Sequence, residues 1–461
     1  MSHESENRNS IKKIGRRHFL ARGGAVLAAG VPILRGTEAW ATETEGASDE
    51  PVQLASKPMR WDWADVRKRF ILPPGRTYLN SGTEGSMPRM VLENLSHYYR
   101  EWAQNPTYIY FDDPRFNAEQ QLSRAKIGTF FGTEARNICL TNNTTMGISL
   151  VLMGIDFQPG DEILTTNQEE YALTSTLSVL AKRMGVKVRE LPIPTPPQSP
   201  DQIVALFKDA ITPKTRAMCF SHVTWTNGLQ LPAQDLCALA RKHQIMTLID
   251  GAQAVGVLDV NMTELGCDFY AGPGHKWLSG PPGTGVLYVR KPAPGPQQIW
   301  PILSEYSVIG KDLPITTVLE VRGCNNTPSF LAMSDVLEFE SSIGKRVIEE
   351  RLVALSQVVK QEVIRRWGKD SLFTPLQPEM SSGITAFVPS SDPTKRSDPN
   401  FTNNVVTALQ QKNIWVRSTK FPNTLTSPPE TVYTLRVSTN IFNDEAEIRH
   451  LFKAIDDIVA L

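Results

Sequence analysis

The sequence predicts an α/β fold built on an open sheet, with a smaller α+β region after it. Three observations carry this. Short β-branched and apolar runs at 138–141, 161–165, 186–191, 216–220, 245–250 and 285–289 are bounded by Gly, Pro, Asn or Asp, as buried strands are. Helical stretches such as 232–242 stand between them, so strands and helices alternate. After Pro328 the composition shifts to long helices at 329–342 and 347–367, then to interleaved strands and helices, an α+β pattern. The 461 residues are 41% hydrophobic, enough for a large core and two or more domains. Lys and Arg total 48 against 48 Asp and Glu, a balance that gives no pull toward nucleic acid.

The N-terminus reads differently. Lys12, Lys13, Arg16 and Arg17 precede a small apolar run from Gly23 to Leu34, and Ala39-Trp40-Ala41 follows. A basic region, a short apolar region and a small-residue cleavage site describe a secretory signal. The twin arginines point to the Tat export machinery. The apolar run is too short to span a bilayer. Residues 1–41 are therefore expected to be a Tat signal peptide and the product to be periplasmic. The expected divisions that follow are a flexible segment at 42–75, with a short helix near 61–70, a large domain at 76–328 and a small domain at 329–461.

Each later element has its own reason. Residues 78–82 lead into the turn-rich stretch 82–88. A helix at 116–131 stops at Gly132, a residue type suited to a C-cap. The strand at 138–141 turns into a helix near Thr144 and Thr145, where free N–H groups make an anion site. Strands follow at 161–165, 186–191 and 216–220, and Ser221 to Gly228 forms the next loop. His222 in that loop reads as a satisfied structural histidine. The strand at 245–250 ends on Asp250, and Lys276 follows the next strand. Both residues then lie on one edge of the sheet, where open α/β folds bind ligands. A lysine amine condenses with an aldehyde, and a buried carboxylate keeps a heteroaromatic nitrogen protonated.

Beyond 328, strands are expected at 384–387, 414–417 and 433–437, with a helix near 403–411, a final helix from Glu445 and a surface loop at 389–399. Arg436 in the 433–437 strand carries a planar fork suited to a carboxylate, although a plain surface arginine fits the same pattern. The five cysteines are scattered and lack a C-x-x-C. No metal site and no disulfide framework is expected, and small core filler is the reading that remains.

The wording around Asp250 and Lys276 is more specific. Asp250-Gly251-Ala252-Gln253, then Gly274-His275-Lys276 followed by Gly280-Pro281 and Gly283-Thr284-Gly285, resembles the class V family of pyridoxal-phosphate enzymes, of aminotransferase fold type I. Weaker family features run from about Tyr78 to the C-terminus. The resemblance implies a large domain with a mostly parallel seven-stranded sheet, a smaller α+β C-terminal domain and pyridoxal 5'-phosphate as cofactor. It makes Lys276 the Schiff-base lysine and Asp250 the partner of the ring nitrogen. Gln253 would lie near the phenolic oxygen and His275 near the phosphate or ring. Thr144 and Thr145 would hold the phosphate, and Tyr171 would cover the ring. Arg436, in a Leu-Arg-x-Ser strand, would pair with the substrate carboxylate, with Asn80 beside the substrate. A homodimer is implied as well.

The chain departs from the family pattern at three places. Pro273 stands where many relatives have a serine, 323–324 is Gly-Cys where relatives supply Gly-Thr, and Asn227-Gly228 replaces Thr-Gly. No cysteine lies at 415–420, where desulfurases carry their nucleophile, which argues against persulfide transfer. The phrasing is nearest to the isopenicillin N epimerase-like branch. That implies aminotransferase-, epimerase- or decarboxylase-type chemistry at the Cα of an amino acid or peptide-like amine. With export, tailoring of the siderophore pyoverdine becomes a specific expectation. A C–S lyase of the same family, and a non-catalytic cofactor-binding or scaffold protein, are the alternatives.

Overall fold

A computed structural model describes Leu54, Pro106 and residues 61–104, 123–291, 299–302, 315–320, 325–424 and 426–459. The expected signal segment, the first half of the 116–131 helix and the Gly-Cys pair at 323–324 lie outside the described residues. The described residues all belong to one compact unit, Ala47–Leu461.

Twelve strands are present among them: β1 (Thr77–Tyr78), β2 (Ile138–Thr141), β3 (Glu162–Thr166), β4 (Lys187–Leu191), β5 (Thr215–Ser221), β6 (Met246–Asp250), β7 (Phe269–Pro273), β8 (Gly285–Val289), β9 (Ile384–Phe387), β10 (Ile414–Trp415), β11 (Arg417–Asn423) and β12 (Glu430–Ser438). Strands β2 to β8 form one seven-stranded sheet in the order β2-β8-β7-β6-β5-β3-β4. Strand β8 runs antiparallel to β2 and β7, and the remaining pairs are parallel. The mostly parallel seven-stranded sheet is therefore as expected. It includes a seventh strand, β7, which the sequence marked only as the strand before Lys276.

The sheet's alternation divides the core in two. Ile138, Leu140, Leu164, Met218, Phe220, Ile249 and Tyr270 face one apolar layer, which also takes in Phe207, Leu236 and Val336 from helices. Cys139, Ile163, Ala217, Cys219, Leu248 and Ala271 face the other, against Leu152 and Leu177. Both faces of the sheet are covered, which is why its strands read as continuous apolar runs. Each fully buried aliphatic or aromatic side chain contributes roughly 1.5–3 kcal/mol. The four described cysteines are all buried, and burial pushes the thiols of Cys219, Cys237 and Cys267 up; they are core filler.

Strands β11, β12 and β9 form a second, antiparallel sheet, and β1 pairs with β10. Packing crosses two of the expected boundaries. Residues 61–75 are not a loose segment: Trp63–Lys68 is a helix capped by Asp62, Val66 is fully buried, and Arg67 bonds to Glu447 at 2.8 Å. Its apolar residues, Val66 and Phe70, join the main core. Nor does packing change at 328/329. The helix Thr327–Ile343 places Phe330, Met333, Val336 and Leu337 in the core of the seven-stranded sheet, while β1 pairs across to β10. The helix at 345–367 extends this pattern, with Ile348 and Leu352 in the same core and Leu355, Val359 and Val363 in the C-terminal one.

Candidate active site

The sheet's C-terminal edge collects the chemistry. Strands β5 and β6 end level, with Ser221 paired to Asp250, and Asp250 is paired in turn to Ala271 of β7. His275 and Lys276 come two and three residues beyond β7. Asp250 is 3% exposed, and its Oδ1 accepts from the Ala252 amide at 2.8 Å. Burial pushes its carboxyl up to about 6, opposed by the Ala252 hydrogen bond and by the charge of Lys276. Removal from water lowers the Lys276 ammonium, with Asp250 and Glu170 opposing and Arg436 and Arg417 adding to the fall. The chain after Lys276 turns tightly: Ser279 sits at φ 62° and its amide donates to the Lys276 carbonyl at 3.1 Å. A non-glycine residue there stores strain of about 1–3 kcal/mol, a cost commonly found at functional turns.

A second buried acid stands behind Asp250. Glu169 Oε2 accepts from the Ser221 amide at 3.0 Å and the Ser221 hydroxyl at 2.5 Å, and Oε1 accepts from Thr166 Oγ1 at 2.6 Å. Burial pushes Glu169 up to about 7, and the Asp250 charge adds to the rise. A raised carboxyl stabilises the fold fully below its unfolded pKa, and that contribution is lost as pH rises through the folded value. Glu169 and Asp250 therefore weaken the cofactor-free protein between about pH 4 and 7. His222, pushed down to about 4 by burial, works oppositely, gaining stability as pH rises from about 4 to 6.5. In Glu169→Gln, thermal melts of cofactor-free protein should lose less stability than the parent between pH 4.5 and 7. Parallel curves for the two would exclude Glu169 as a titrating group.

The segment after β1 closes the site from the other side. Arg436 of β12 is 1% exposed. Its Nη1 donates to the Trp225 carbonyl at 3.0 Å, and its Nη2 donates to Thr83 Oγ1 at 2.8 Å and Asn80 Oδ1 at 3.3 Å. Burial and the charge of Arg417 push its guanidinium down to about 9, leaving it protonated at neutral pH. Gly82 packs where a Cβ would meet Ser438 Oγ at 2.9 Å and Gln253 Oε1 at 3.1 Å. Gln253 Nε2 donates to the Gly82 carbonyl at 2.9 Å, and its Oε1 accepts from Trp277 Nε1 at 2.8 Å. Gln253 thus ties the 80–85 segment to the lysine loop. Gly85 makes a second tie, donating to the His275 carbonyl at 2.8 Å; a Cβ on Gly85 would lie 1.8 Å from the Lys276 carbonyl oxygen.

The other expected residues fall as follows. Asn143, rather than either threonine, caps the helix Thr144–Gly154 by accepting from the Met146 amide. Thr144 Oγ1 is buried and has no partner among the described residues, while Thr145 is exposed. Tyr171 is 65% exposed at the start of its helix, its ring 6.4 Å from that of Trp225. His222 Nδ1 lies 3.1 Å from Tyr270 Oη, in keeping with a structural histidine. Asn227 is fully buried, accepting from Thr224 and donating to the Phe373 carbonyl, so its side chain is committed to the loop. The sequence did not single out Glu169, Thr83, Trp225 or Arg417. Glu169 could have been suspected from its place in the loop before Tyr171; the other three are brought in by tertiary pairing.

Residues 77–451 match the aminotransferase class-V family. The chain belongs to this family. It is 31% identical over 410 residues to the isopenicillin N epimerase of Streptomyces clavuligerus, covering 86% of this chain and 98% of that relative. Among solved structures, the apo cysteine desulfurase of Thermococcus onnurineus NA1 shares the fold with a TM-score of 0.73 at 21% identity, over 88% of this chain and all of that one. The cystine C–S lyase C-DES, in complex with cysteine persulfide, gives 0.68 at 23%, over 83% of this chain and 98% of that one. Class V membership makes the protein an enzyme dependent on pyridoxal phosphate, and sets aside the scaffold alternative. The residues fit that cofactor. Among the described residues, Thr144 Oγ1 is buried without a partner at a helix start, and Ser81 Oγ, Arg436 Nε and Ser438 Oγ are left the same way on the Arg436 side. Buried groups left bare are costly, and a phosphate, a ring and a substrate carboxylate supply the missing acceptors.

Proposed function

We propose that this class-V enzyme moves protons at the Cα of an amino acid or peptide-like amine, in epimerase- or aminotransferase-type chemistry. The observation that carries it is the convergence of Asp250, Lys276 and Arg436 on one edge, with one basic nitrogen placed to work between an acid and a carboxylate clamp. Pyridoxal phosphate, when bound, supplies an aldehyde for the amine and a ring that draws electrons from Cα. Thr144 and the first amides of its helix suit the phosphate. Asp250 would hold the ring N–H. Arg436 takes the carboxylate, held in place by Thr83, Asn80 and the Trp225 carbonyl. Burial lowers the Lys276 ammonium, which favours its use as the group that would accept the Cα proton and return it.

Elimination of a β-sulfur substituent is the second reading. It is supported by the fold shared with a C–S lyase and needs only the same lysine. A cysteine-borne persulfide is not: β11 carries no cysteine at 417–423, and the four described thiols are buried. A periplasmic homodimer engaged in siderophore tailoring is the fuller form of the proposal, supported by the Arg16-Arg17 leader and the branch resemblance.

Incubating the holoenzyme with a panel of amino acids in D2O, followed by NMR, tests it. Deuterium at Cα without a keto product is expected of an epimerase, and a keto acid of an aminotransferase. Sulfide with pyruvate from cysteine or cystine would establish the second reading instead. Unexchanged Cα protons across the panel, including glutamate-bearing peptides, would overturn the proposal.

A further inference from the structure

We infer that the site selects an amine bearing two carboxylates, the first on Arg436 and the second on Arg417. This rests on the preceding reading of the site. Arg417 and Arg436 are direct partners across the antiparallel pair β11–β12, so both side chains leave the same face of the sheet. They converge on one hydroxyl: Thr83 Oγ1 accepts from Arg436 Nη2 at 2.8 Å and from Arg417 Nη1 at 3.4 Å. The charge of Arg417 bears on Arg436, and both charges bear on Lys276. The two guanidinium groups therefore stand on the reacting side of the sheet.

Like charges placed directly opposite across a strand pair repel. A protein usually offsets such a pair with acids. Here the hydrogen bonds of both arginines, among the described residues, go to neutral oxygens: Thr83, Asn80 and the Trp225 carbonyl. Arg436 Nε is buried with no partner among the described residues. Arg417 is exposed and lies over the Trp225 ring at 5.6 Å, which steadies it while leaving its donors other than Nη1 open. One carboxylate satisfies the buried arginine; a second, on the same molecule, neutralises the exposed one. An exposed strand arginine with no ligand would also stack on a tryptophan. It would have no reason to sit opposite the buried carboxylate-binding arginine and share its hydroxyl partner.

The test uses the full-length holoenzyme and equilibrium titration of its cofactor absorbance with L-glutamate, L-aspartate, L-glutamine and L-norvaline. Calorimetry with glutarate and butyrate, which carry no amine, gives a second readout. Parent enzyme should bind the dicarboxylates tighter than their neutral counterparts by about 10- to 100-fold, the worth of a charge-assisted hydrogen bond. Arg417→Gln should collapse that ratio toward one, and Arg417→Lys should keep part of it. Should the glutamine variant lose its fold, the lysine variant carries the comparison through its intermediate ratio. A parent that shifts with norvaline as readily as with glutamate would overturn the inference and leave the function proposed above intact. Equal weakening of both classes in Arg417→Gln would also overturn it, meaning that both arginines hold a single carboxylate. A protein without cofactor absorbance would instead remove the underlying reading.

Discussion

Replacing Lys276 with alanine should abolish the visible absorbance of the lysine-bound cofactor and lower turnover by at least about 10²- to 10⁴-fold, the usual share of a positioned acid–base group. The size follows from the absence of any substitute. The nearby Arg436 guanidinium stays protonated at neutral pH, and burial pushes the His275 imidazole down, leaving it a weaker base than the lysine it would replace. The fold should survive, because the turn around Lys276 is held by main-chain bonds: Gly85 to the His275 carbonyl and Ser279 to the Lys276 carbonyl. Circular dichroism and the melting temperature separate the two effects. A variant that keeps the lysine-type absorbance, or turns over within a few-fold of the parent, would remove Lys276 from its role.

Asp250→Asn is expected to be the next most damaging change, lowering turnover by about 10²- to 10³-fold, the range seen when one preorganised electrostatic partner is removed. Asparagine keeps the shape and can still accept from the Ala252 amide, so binding of the cofactor should weaken less than turnover. What is lost is the negative charge. In the protein alone burial holds the Asp250 carboxyl up at about 6; a protonated ring nitrogen beside it would draw that value down and keep the pair charged. The pH dependence should reveal this. Parent activity should fall as pH drops through the Asp250 pKa of the loaded enzyme, and the variant should lose that limb. Retention of near-parental turnover in Asp250→Asn would mean that the ring nitrogen has no need of a charged partner.

Much of this was legible from the chain. The strands of the seven-stranded sheet announce themselves because both faces are buried, so whole runs such as Met218-Cys219-Phe220 are apolar. Asp250 and Lys276 are legible because strand ends and the glycines around them set position locally. The residues that escaped reading are held by distant pairing. Thr83 matters because β12 carries Arg436 to it, and Arg417 because the β11–β12 register sets it opposite Arg436. The helix 327–343 read as a C-terminal element because composition changes there; its packing is decided by which apolar face meets the large sheet. Thr144 and Thr145 look equivalent in sequence, yet Asn143 takes the cap and only Thr144 is left with a buried hydroxyl that has no partner among the described residues.

The pairing of residues 77–80 with the end of the chain has a consequence for assembly. Asn80 and Arg436 are 356 positions apart, and Asn80 also forms a bridge with Ser438. Closing so long a loop costs entropy before any contact repays it. During synthesis the large sheet, Asp250 and Lys276 emerge well before β12 does. A ribosome-bound or prematurely ended chain therefore holds a lysine and an acid without the arginine proposed to orient a substrate. On the proposed reading, the acid–base machinery is complete only when the Arg436 strand comes back to the segment around Asn80.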